Sequence, residues 1–243
     1  MTQSAAKIIV ALDYSSSDEA LALVDQLLPS ACRLKVGKEL FTNAGPDLVR
    51  VLVNRGYDVF LDLKFHDIPS TTAKAVCAAA DMGVWMTNVH TSGGSRMMSE
   101  AKRAVRQCAS DMLLVGVTVL TSMEQADLYE SGVQRSVADQ VLHLAKSAQQ
   151  SGLDGVVCSA RESSILKVHC GSEFLLVTPG IRPIDAAIDD QLRVVTPQDA
   201  LAMGSDYLVI GRPITQSLSP LATLEQINQS LVTVRGACRV LLD

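Results

Sequence analysis

The sequence is organised around Val59-Phe60-Leu61-Asp62-Leu63-Lys64-Phe65-His66-Asp67-Ile68-Pro69, an apolar strand pattern that ends in charged side chains. Because residues two apart in a strand share a face, Asp62 and Lys64 are predicted to point the same way. Asp67 follows just beyond the strand end. Burying such charges costs free energy of hydration, so their presence indicates a structural or functional role. A strand-end Asp–Lys pair is somewhat more often a local ion pair than a catalytic one. Residues elsewhere in the chain are needed to distinguish these two interpretations.

The composition is that of a soluble globular protein. The 243 residues are 48% apolar and 19% charged, with 15 Gly and 8 Pro, a balance that excludes a collagen-like or disordered chain. This length allows one or two domains, and α/β barrels commonly reach it as a single domain. The formal net charge of −5 argues against a general nucleic-acid-binding surface, although a local cationic pocket for a small anion stays open.

The sequence carries no pattern for secretion, membrane insertion or metal binding. Residues 1–10 lack the features of a signal peptide, and no apolar run approaches the roughly 18 residues of a membrane span. The cysteines occur singly, which predicts reduced thiols in a cytoplasmic protein. No group of His, Cys, Asp or Glu has metal-ligand spacing. The six cysteines are Cys32, Cys77, Cys108, Cys158, Cys170 and Cys238.

Strand and helix patterns alternate along the whole chain. Strands are predicted at residues 7–13, 33–37, in the opening stretch, and at 84–90, 112–120, 155–159, 174–178 and 207–210. Helices are predicted at residues 16–28, 45–56, 69–83, 95–108, 133–150, 162–168, 197–203 and 221–234. Eight such units with strands that are apolar throughout predict an α/β protein, a closed parallel (β/α)₈ or TIM barrel that spans residues 1–243 as a single domain.

An open, doubly wound sheet is the structural alternative to the barrel. Its dinucleotide-binding version places Gly-x-Gly-x-x-Gly after the first strand. This chain has no such motif there, which weakens that version of the alternative.

Polar side chains collect where the predicted strands end. They are Asp13, Lys35, Asp62 with Lys64, His90, Thr118 with Thr121, the segment Pro179-Gly180-Ile181-Arg182, and Gly211-Arg212. The active sites of (β/α)₈ barrels lie at the carboxyl ends of the strands. Convergence of these groups on one end of an otherwise apolar barrel therefore indicates a site. The other histidines, His66, His143 and His169, are expected on the surface or in the core.

The loops after the seventh and eighth strands are suited to a phosphate group. Each joins a glycine, whose backbone a ligand can approach closely, to an arginine: Arg182 in one loop and Gly211-Arg212 in the other. The alternative is that Gly211 is a turn residue and Arg212 a solvated charge. Residues 180–195 have little helical pattern and are a candidate lid.

These motifs together resemble the orotidine 5′-phosphate decarboxylase family, in its bacterial branch. The core of the resemblance is Asp62-x-Lys64-x-x-Asp67, with Lys35, Asp13 and Gly211-Arg212 at other strand ends. Further matching segments are Asp67-Ile-Pro-Ser-Thr71, Val117-Thr-Val-Leu-Thr121-Ser, Thr178-Pro-Gly-Ile-Arg182-Pro and Gln191. The ordered set covers essentially the whole chain and is far more specific than Asp-x-Lys-x-x-Asp alone.

The resemblance implies conversion of orotidine 5′-monophosphate to UMP and CO₂, the last step of de novo pyrimidine synthesis, without metal or organic cofactor. It also implies a homodimer in which Asp67 and Thr71 reach into the partner's site. The implied catalytic residues are Lys35, Asp62, Lys64 and Asp67. The implied substrate-binding residues are Asp13 and Thr71 for the ribose, Thr121 or Ser122 for the pyrimidine, and Arg182, Gln191, Gly211 and Arg212 for the phosphate, with Lys35 and Asp62 beside them.

The chemistry of this reaction explains why a lysine is needed. Loss of CO₂ from C6 leaves a carbanion in the ring plane with no conjugated group to accept its electrons, so fixed charges must stabilise it. The Lys64 ammonium can lie beside C6 and then donate the proton that replaces CO₂. Asp62 would keep Lys64 charged and positioned.

Two other functions are compatible with the motif. A sister barrel enzyme, such as 3-keto-L-gulonate 6-phosphate decarboxylase or hexulose 6-phosphate synthase, uses Mg²⁺ and places a carboxylate where this chain has Lys35. A non-catalytic barrel that senses a nucleotide is the other, and the intact Asp62, Lys64 and Asp67 argue against it.

Overall fold

The fold is a closed barrel of eight parallel strands, as predicted. The computed structural model describes residues 6–108, 110–183 and 195–239. The strands are β1 (Ile8–Leu12), β2 (Arg33–Gly37), β3 (Val59–Phe65), β4 (Met86–His90), β5 (Leu113–Val117), β6 (Gly155–Val157), β7 (Leu175–Thr178) and β8 (Tyr207–Ile210). Each strand pairs with its neighbour in sequence, and β1 pairs with β8 through Ile9 and Val209. This last pairing excludes the open sheet. The extension of the domain over all of residues 1–243 stays a prediction.

Helices follow the strands and cover the outside of the barrel. They are α1 (Ser17–Val24), α2 (Lys38–Asn54), α3 (Pro69–Asp81), α4 (Gly94–Gln107), α5 (Gln125–Glu130), α6 (Val137–Gln150), α7 (Ser163–Cys170), α8 (Pro197–Ala202), α9 (Arg212–Thr215) and α10 (Pro220–Arg239). Among the described residues, no helix combines the length and the apolar character that a membrane crossing needs.

The predicted helix at residues 45–56 starts too late. Helix α2 already begins at Lys38 and passes through a kink at Gly45, whose φ of 69° and ψ of −170° are non-helical. The glycine and the following Pro46 read as a helix start because they begin the second, longer part of α2. The short helices α5 and α9 were not predicted either, since four to six residues carry too little periodicity to be recognised.

The core has two parts, one inside the barrel and one between the strands and the helices. The interior cluster consists of Ile9, Ala11, Phe60, Trp85, Met86, Val115, Val177 and Val209. Because side chains alternate along a strand, the residues two positions after Phe60 and Met86 also face the interior. These are Asp62 and Asn88, one layer closer to the carboxyl ends of the strands. That end of the barrel is called the mouth below.

The opposite end of the barrel is closed by a buried arginine. Arg33 is only 3% exposed and pairs with Asp58, with 3.2 Å between Nε and Oδ2. Its guanidinium lies over the rings of Trp85 and Tyr207, at 4.3 and 5.0 Å from their centroids, a favourable cation–π arrangement. Arg33 therefore fills the interior at the end opposite the mouth.

Carboxylates fasten neighbouring strands at this closed end. The Oδ2 atom of Asp206, just before β8, accepts hydrogen bonds from Leu176 N–H at 2.8 Å and from Lys167 Nζ at 2.7 Å. Asp154, just before β6, is held in the same way by Leu114 N–H and Lys102. These contacts hold the barrel together away from the mouth, where charged side chains are left for the site.

The described cysteine side chains are all free thiols, as the sequence predicted. Cys32, Cys158 and Cys170 are buried, and Cys77 and Cys108 are partly exposed. Burial raises the pKa of the Cys32 thiol to about 12. Such a thiol is protonated and unreactive near neutral pH. The side chain of Cys238 lies outside the described residues.

The close contact between β6 and β7 gives a stability prediction. A Cβ atom at Gly155 would overlap the carbonyl oxygen of Leu175, which is backbone and cannot move aside. Gly155→Ala should therefore lower the free energy of unfolding by about 3 kcal/mol. Gly171→Ala is the control, because its positive φ of 85° is strained but the space around it is open, and about 1 kcal/mol is expected. Equal losses in urea unfolding would contradict the predicted clash.

Candidate active site

A chain of alternating charges crosses the mouth from β1 to β3. Lys35 Nζ lies 3.1 Å from Asp13 Oδ1 and 3.7 Å from Asp62 Oδ2. Lys64 Nζ lies 2.6 Å from Asp62 Oδ1. Exposure is 11% for the Lys35 side chain, 13% for Asp62 and 25% for Lys64, whereas Asp13 is 68% exposed. The sequence placed these four residues at strand ends, and the structure brings them together. The partly buried trio Lys35, Asp62 and Lys64 is called the charge cluster below.

Asp62 stays ionised in this cluster. Its burial on its own raises the pKa of the carboxyl group. The opposing effects are larger together: the ammonium groups of Lys35 and Lys64, and hydrogen bonds from Lys64 and Asn88, bring the pKa below its usual value. The Asp62 carboxylate thus faces two lysines, and Lys35 has a second, closer acidic partner in Asp13.

The strand that carries this cluster is irregular. Asp62 and Lys64 do share a face, as predicted, but Lys64 has a φ of 53°, the only positive φ outside glycine in the described part of the chain. The pairing of β3 with β4 shifts register between Leu61 and Phe65. The Lys64 N–H donates instead to the side chain of Asn88, at 2.7 Å from Oδ1. The charged end of β3 is therefore held by a side chain rather than by regular strand pairing.

Asp67 and Thr71 lie away from the charge cluster of their own chain. Both residues are exposed: Asp67 lies two residues before α3, and Thr71 is the third residue of that helix. The Asp67 carboxylate accepts a hydrogen bond from Ile68 N–H at 2.6 Å. In residues 6–108, 110–183 and 195–239, no ion pair joins Asp67 to Lys64. The third residue of the Asp-x-Lys-x-x-Asp motif is thus exposed on the surface of the chain.

The charge cluster separates two lobes of a cleft at the mouth. The first, called the apolar lobe, measures about 680 Å³ with the space open to solvent. Its lining includes Phe60, Val117, Val157 and Val209, together with the hydroxyl-bearing residues Thr121 and Ser122. The second, the polar lobe, measures about 530 Å³ and is lined by Asp13, Tyr14, Gly37, Lys38 and Glu39 among others. Lys35, Asp62 and Lys64 line both. A ligand that fills both lobes must pass directly over the cluster.

The predicted phosphate residues fall partly inside the described chain. Gly211 precedes α9, and a Cβ there would lie 3.6 Å from Asp13 Oδ2, so this turn borders the mouth. Arg212, the first residue of α9, is exposed, while Arg182 is 5% exposed. Gln191 and most of the candidate lid, residues 184–194, lie outside the described residues.

His90 is at the mouth as expected, next to a second histidine. Its ring lies 5.6 Å from that of His66, centroid to centroid. Burial lowers the pKa of His90, the neighbouring His66, Lys38 and Lys64 side chains lower it further, and Asp62 acts in the opposite direction. Its imidazole is therefore neutral near pH 7 and adds no charge to the cluster.

Sequence reasoning missed several residues of the site. Asn88 was not considered because it sits inside a strand, yet its position two residues after an interior methionine was a usable signal. Tyr14, Lys38 and Glu39 follow strand ends by one or two residues and could have been included on the same ground. Within the described ranges, no group of three or more His, Cys, Asp or Glu side chains is arranged to hold a metal ion.

The closed parallel barrel and its charged mouth define a (β/α)₈-barrel protein of the kind that carries an active site at the strand carboxyl ends. The family model described as orotidine 5′-phosphate decarboxylase / HUMPS family matches residues 6–227. The chain belongs to this family, and the resemblance drawn from the motifs is confirmed.

Individual relatives agree with this assignment over nearly the full length. Orotidine 5′-phosphate decarboxylase of Vibrio cholerae is 60% identical over 227 residues, 93% of this chain and 98% of the relative. The enzyme of that name from Aliivibrio fischeri is 59% identical over 229 residues, 94% and 98% of the two chains. The crystal structure of orotidine 5′-phosphate decarboxylase from Lactobacillus acidophilus has a TM-score of 0.84 at 40% identity, covering 92% of this chain and 98% of that one.

The backbone of Lys64 gives a prediction that is independent of chemistry. Lys64→Gly and Lys64→Ala both remove the ammonium group, but only alanine keeps the left-handed strain at φ 53°. Lys64→Gly should therefore be more stable than Lys64→Ala by about 1 kcal/mol, measured as the difference between their unfolding free energies in urea. An alanine variant that is as stable as the glycine variant would show that this position is not strained.

Proposed function

We propose that this chain decarboxylates orotidine 5′-monophosphate to UMP and CO₂, the last step of de novo pyrimidine synthesis. The observation that carries the proposal is the charge cluster, with two ammonium groups on one carboxylate, set between an apolar and a polar lobe. Family membership and the relatives at about 60% identity confirm the expected class of enzyme, a carboxy-lyase.

The two lobes suit the two halves of this nucleotide. The apolar lobe fits a flat pyrimidine ring, with Thr121 or Ser122 available for its polar edge. The polar lobe offers Asp13 and Lys35 to the ribose hydroxyl groups. We assign the phosphate to Gly211 and Arg212, together with Arg182 and Gln191. This orientation is supported by Gly211, which borders the mouth beside Asp13.

In this pose Lys64 is the catalytic acid. As CO₂ leaves C6, the Lys64 ammonium stabilises the carbanion by its charge and then transfers a proton to the same carbon. The electron pair left by the departing carboxylate becomes the new C6–H bond. Asp62, 2.6 Å from Lys64 Nζ, holds the ammonium in place, and Lys35 on the other side keeps Asp62 ionised.

We propose that this chemistry proceeds without a metal or organic cofactor. The sister enzymes that use Mg²⁺ need a carboxylate at the second strand end. Here Lys35 occupies that position, and its ammonium faces Asp62 at 3.7 Å. A divalent cation placed beside Asp62 would be repelled by two ammonium groups.

We further propose a cytoplasmic homodimer in which Asp67 and Thr71 complete the partner's site. The proposal is supported by the exposure of both residues, and by Ile68 between them, an apolar side chain that is 64% exposed. A carboxylate delivered by a second subunit would extend the alternation of charge beyond Lys64. The cytoplasmic location is supported by the six singly spaced cysteines, a pattern typical of proteins in a reducing compartment.

Lys64→Ala should reduce UMP formation by several orders of magnitude, because the variant lacks both the stabilising charge and the proton donor. The absorbance change of orotidine 5′-monophosphate measures its consumption, and binding of UMP shows that the site is still formed. Lys146→Ala, on the outer helix α6, is the control and should retain wild-type turnover. The wild type is assayed with and without EDTA, and it should be equally active in both.

Two outcomes would contradict this assignment. Near-normal turnover in Lys64→Ala would remove Lys64 from the chemistry. Loss of wild-type activity in EDTA would favour the magnesium-dependent alternative, and a wild type that binds the nucleotide without consuming it would favour a sensor.

Mixing two inactive variants tests the shared site. Lys64→Ala and Asp67→Ala homodimers should both be nearly inactive. If Asp67 acts across the interface, each mixed dimer contains one site with both residues intact and one site with neither. Random exchange of subunits makes half of the dimers mixed. Up to about a quarter of the wild-type activity per site should therefore be restored. Mixing followed over time by the same absorbance assay measures this. Absence of any recovery, with subunit exchange verified, would place Asp67 in its own chain's site.

A further inference from the structure

Asn88 joins the two functional parts of β3 through one side chain. It lies in β4 and is fully buried. Its Oδ1 accepts the hydrogen bond of Lys64 N–H, and its Nδ2 donates to Asp62 Oδ1, both at 2.7 Å. The backbone N–H can only donate, so the amide orientation is fixed. No motif in the sequence identified this residue.

The first of these hydrogen bonds replaces a missing contact in the sheet. In the β3–β4 pairing, Leu61 lies opposite Thr87 and Phe65 lies opposite Val89. Between these two pairs β3 advances by four residues and β4 by only two, which makes a bulge in β3. Lys64 lies in this bulge at φ 53°, a conformation that side chains other than glycine seldom adopt. Asn88 Oδ1 supplies the acceptor that the strand ladder no longer provides, and it holds the Lys64 backbone in this conformation.

The second hydrogen bond fixes the carboxylate on which Lys64 depends. Asp62 Oδ1 receives both Lys64 Nζ at 2.6 Å and Asn88 Nδ2 at 2.7 Å. Its other oxygen faces Lys35 at 3.7 Å. A donor on Oδ1 that is attached to a neighbouring strand prevents rotation of the carboxylate. The Asn88 amide thus holds the backbone of Lys64 directly and its side chain indirectly, through Asp62.

We propose that Asn88 is a positioning residue for catalysis, which holds the Lys64 ammonium at the reacting carbon by bracing both Asp62 and the Lys64 backbone. The proposal rests on the proposed function, in which Lys64 acts on C6. Holding both groups requires an acceptor for Lys64 N–H and a donor for Asp62 at a fixed separation, and the side-chain amide provides both. An aspartate lacks the donor when ionised, and alanine lacks both.

Kinetics of Asn88→Ala, Asn88→Asp and the control Thr87→Val test the proposal. Thr87 is the neighbour of Asn88 in β4, equally buried, and its hydroxyl donates to the Leu61 carbonyl at 2.9 Å, so its loss affects the same strand pair without touching the charge cluster. Asn88→Ala should lower kcat about 100-fold, with KM and UMP affinity within about threefold of wild type. Thr87→Val should leave kcat within about threefold.

The aspartate variant separates positioning from simple packing. Asn88→Asp keeps the acceptor for Lys64 N–H but sets a second carboxylate against Asp62. When protonated, the new carboxyl group regains a donor, so kcat of this variant should rise as the pH falls, whereas kcat of Asn88→Ala should show no such rise. A role in packing alone would not produce this difference.

A measurement on the ligand-free protein keeps the test independent of activity. The ¹³C signal of the Asp62 carboxyl group should titrate at a higher pH in Asn88→Ala than in the wild type, and at an unchanged pH in Thr87→Val. Unchanged Asp62 titration, or a kcat of Asn88→Ala within threefold of wild type, would overturn the proposal. If the wild type does not consume orotidine 5′-monophosphate, the proposed function fails, and the titration alone decides whether Asn88 braces Asp62.

Discussion

The attraction of two partly buried ammonium groups, those of Lys35 and Lys64, to the carboxylate of Asp62 is the interaction on which the proposed site depends. Each of these charges loses hydration inside the barrel, and none would be tolerated there alone. Lys35 and Lys64 together keep Asp62 ionised. The Asp62 carboxylate in turn offsets the repulsion between the two lysines, because it contacts both. Charges of alternating sign are thereby fixed in place before any ligand arrives. Preorganised charge of this kind is what stabilises a carbanion most effectively.

The barrel supplies the rigid surroundings that this arrangement requires. Its interior is packed with apolar side chains up to the layer of Phe60 and Met86, and the next layer carries Asp62 and Asn88. The structural ion pairs of Arg33, Asp154 and Asp206 lie at the opposite end of the strands. The ion pairs that fasten the strands and the proposed site therefore lie at opposite ends of the barrel axis.

The fold and much of the site followed from simple periodicities in the sequence. Eight apolar runs separated by helical patterns predicted the barrel, and charged residues at the ends of those runs predicted Asp13, Lys35, Asp62 and Lys64 as neighbours. The positive φ of Lys64 was not predictable, because no local signal marks a lysine for that conformation. Asn88 was not predicted for a related reason. Its hydrogen bond to the Lys64 backbone arises from a register shift between β3 and β4, and that shift depends on how the strands pair and not on the sequence of either strand alone. Gln191 and the candidate lid lie outside the described residues.

The arginine that closes the far end of the barrel has a consequence for the traffic of molecules through the site. Arg33 packs between Trp85, Tyr207 and Asp58 beneath the apolar side chains that fill the interior, and together these side chains block the axis in the described part of the barrel. In the proposed reaction, gas and nucleotide must therefore leave by the opening through which the substrate entered. Carbon dioxide, released at the inner wall beside Asp62, has to pass the bound UMP or wait for its departure. The order of product release is thus constrained by a residue that no reactant touches.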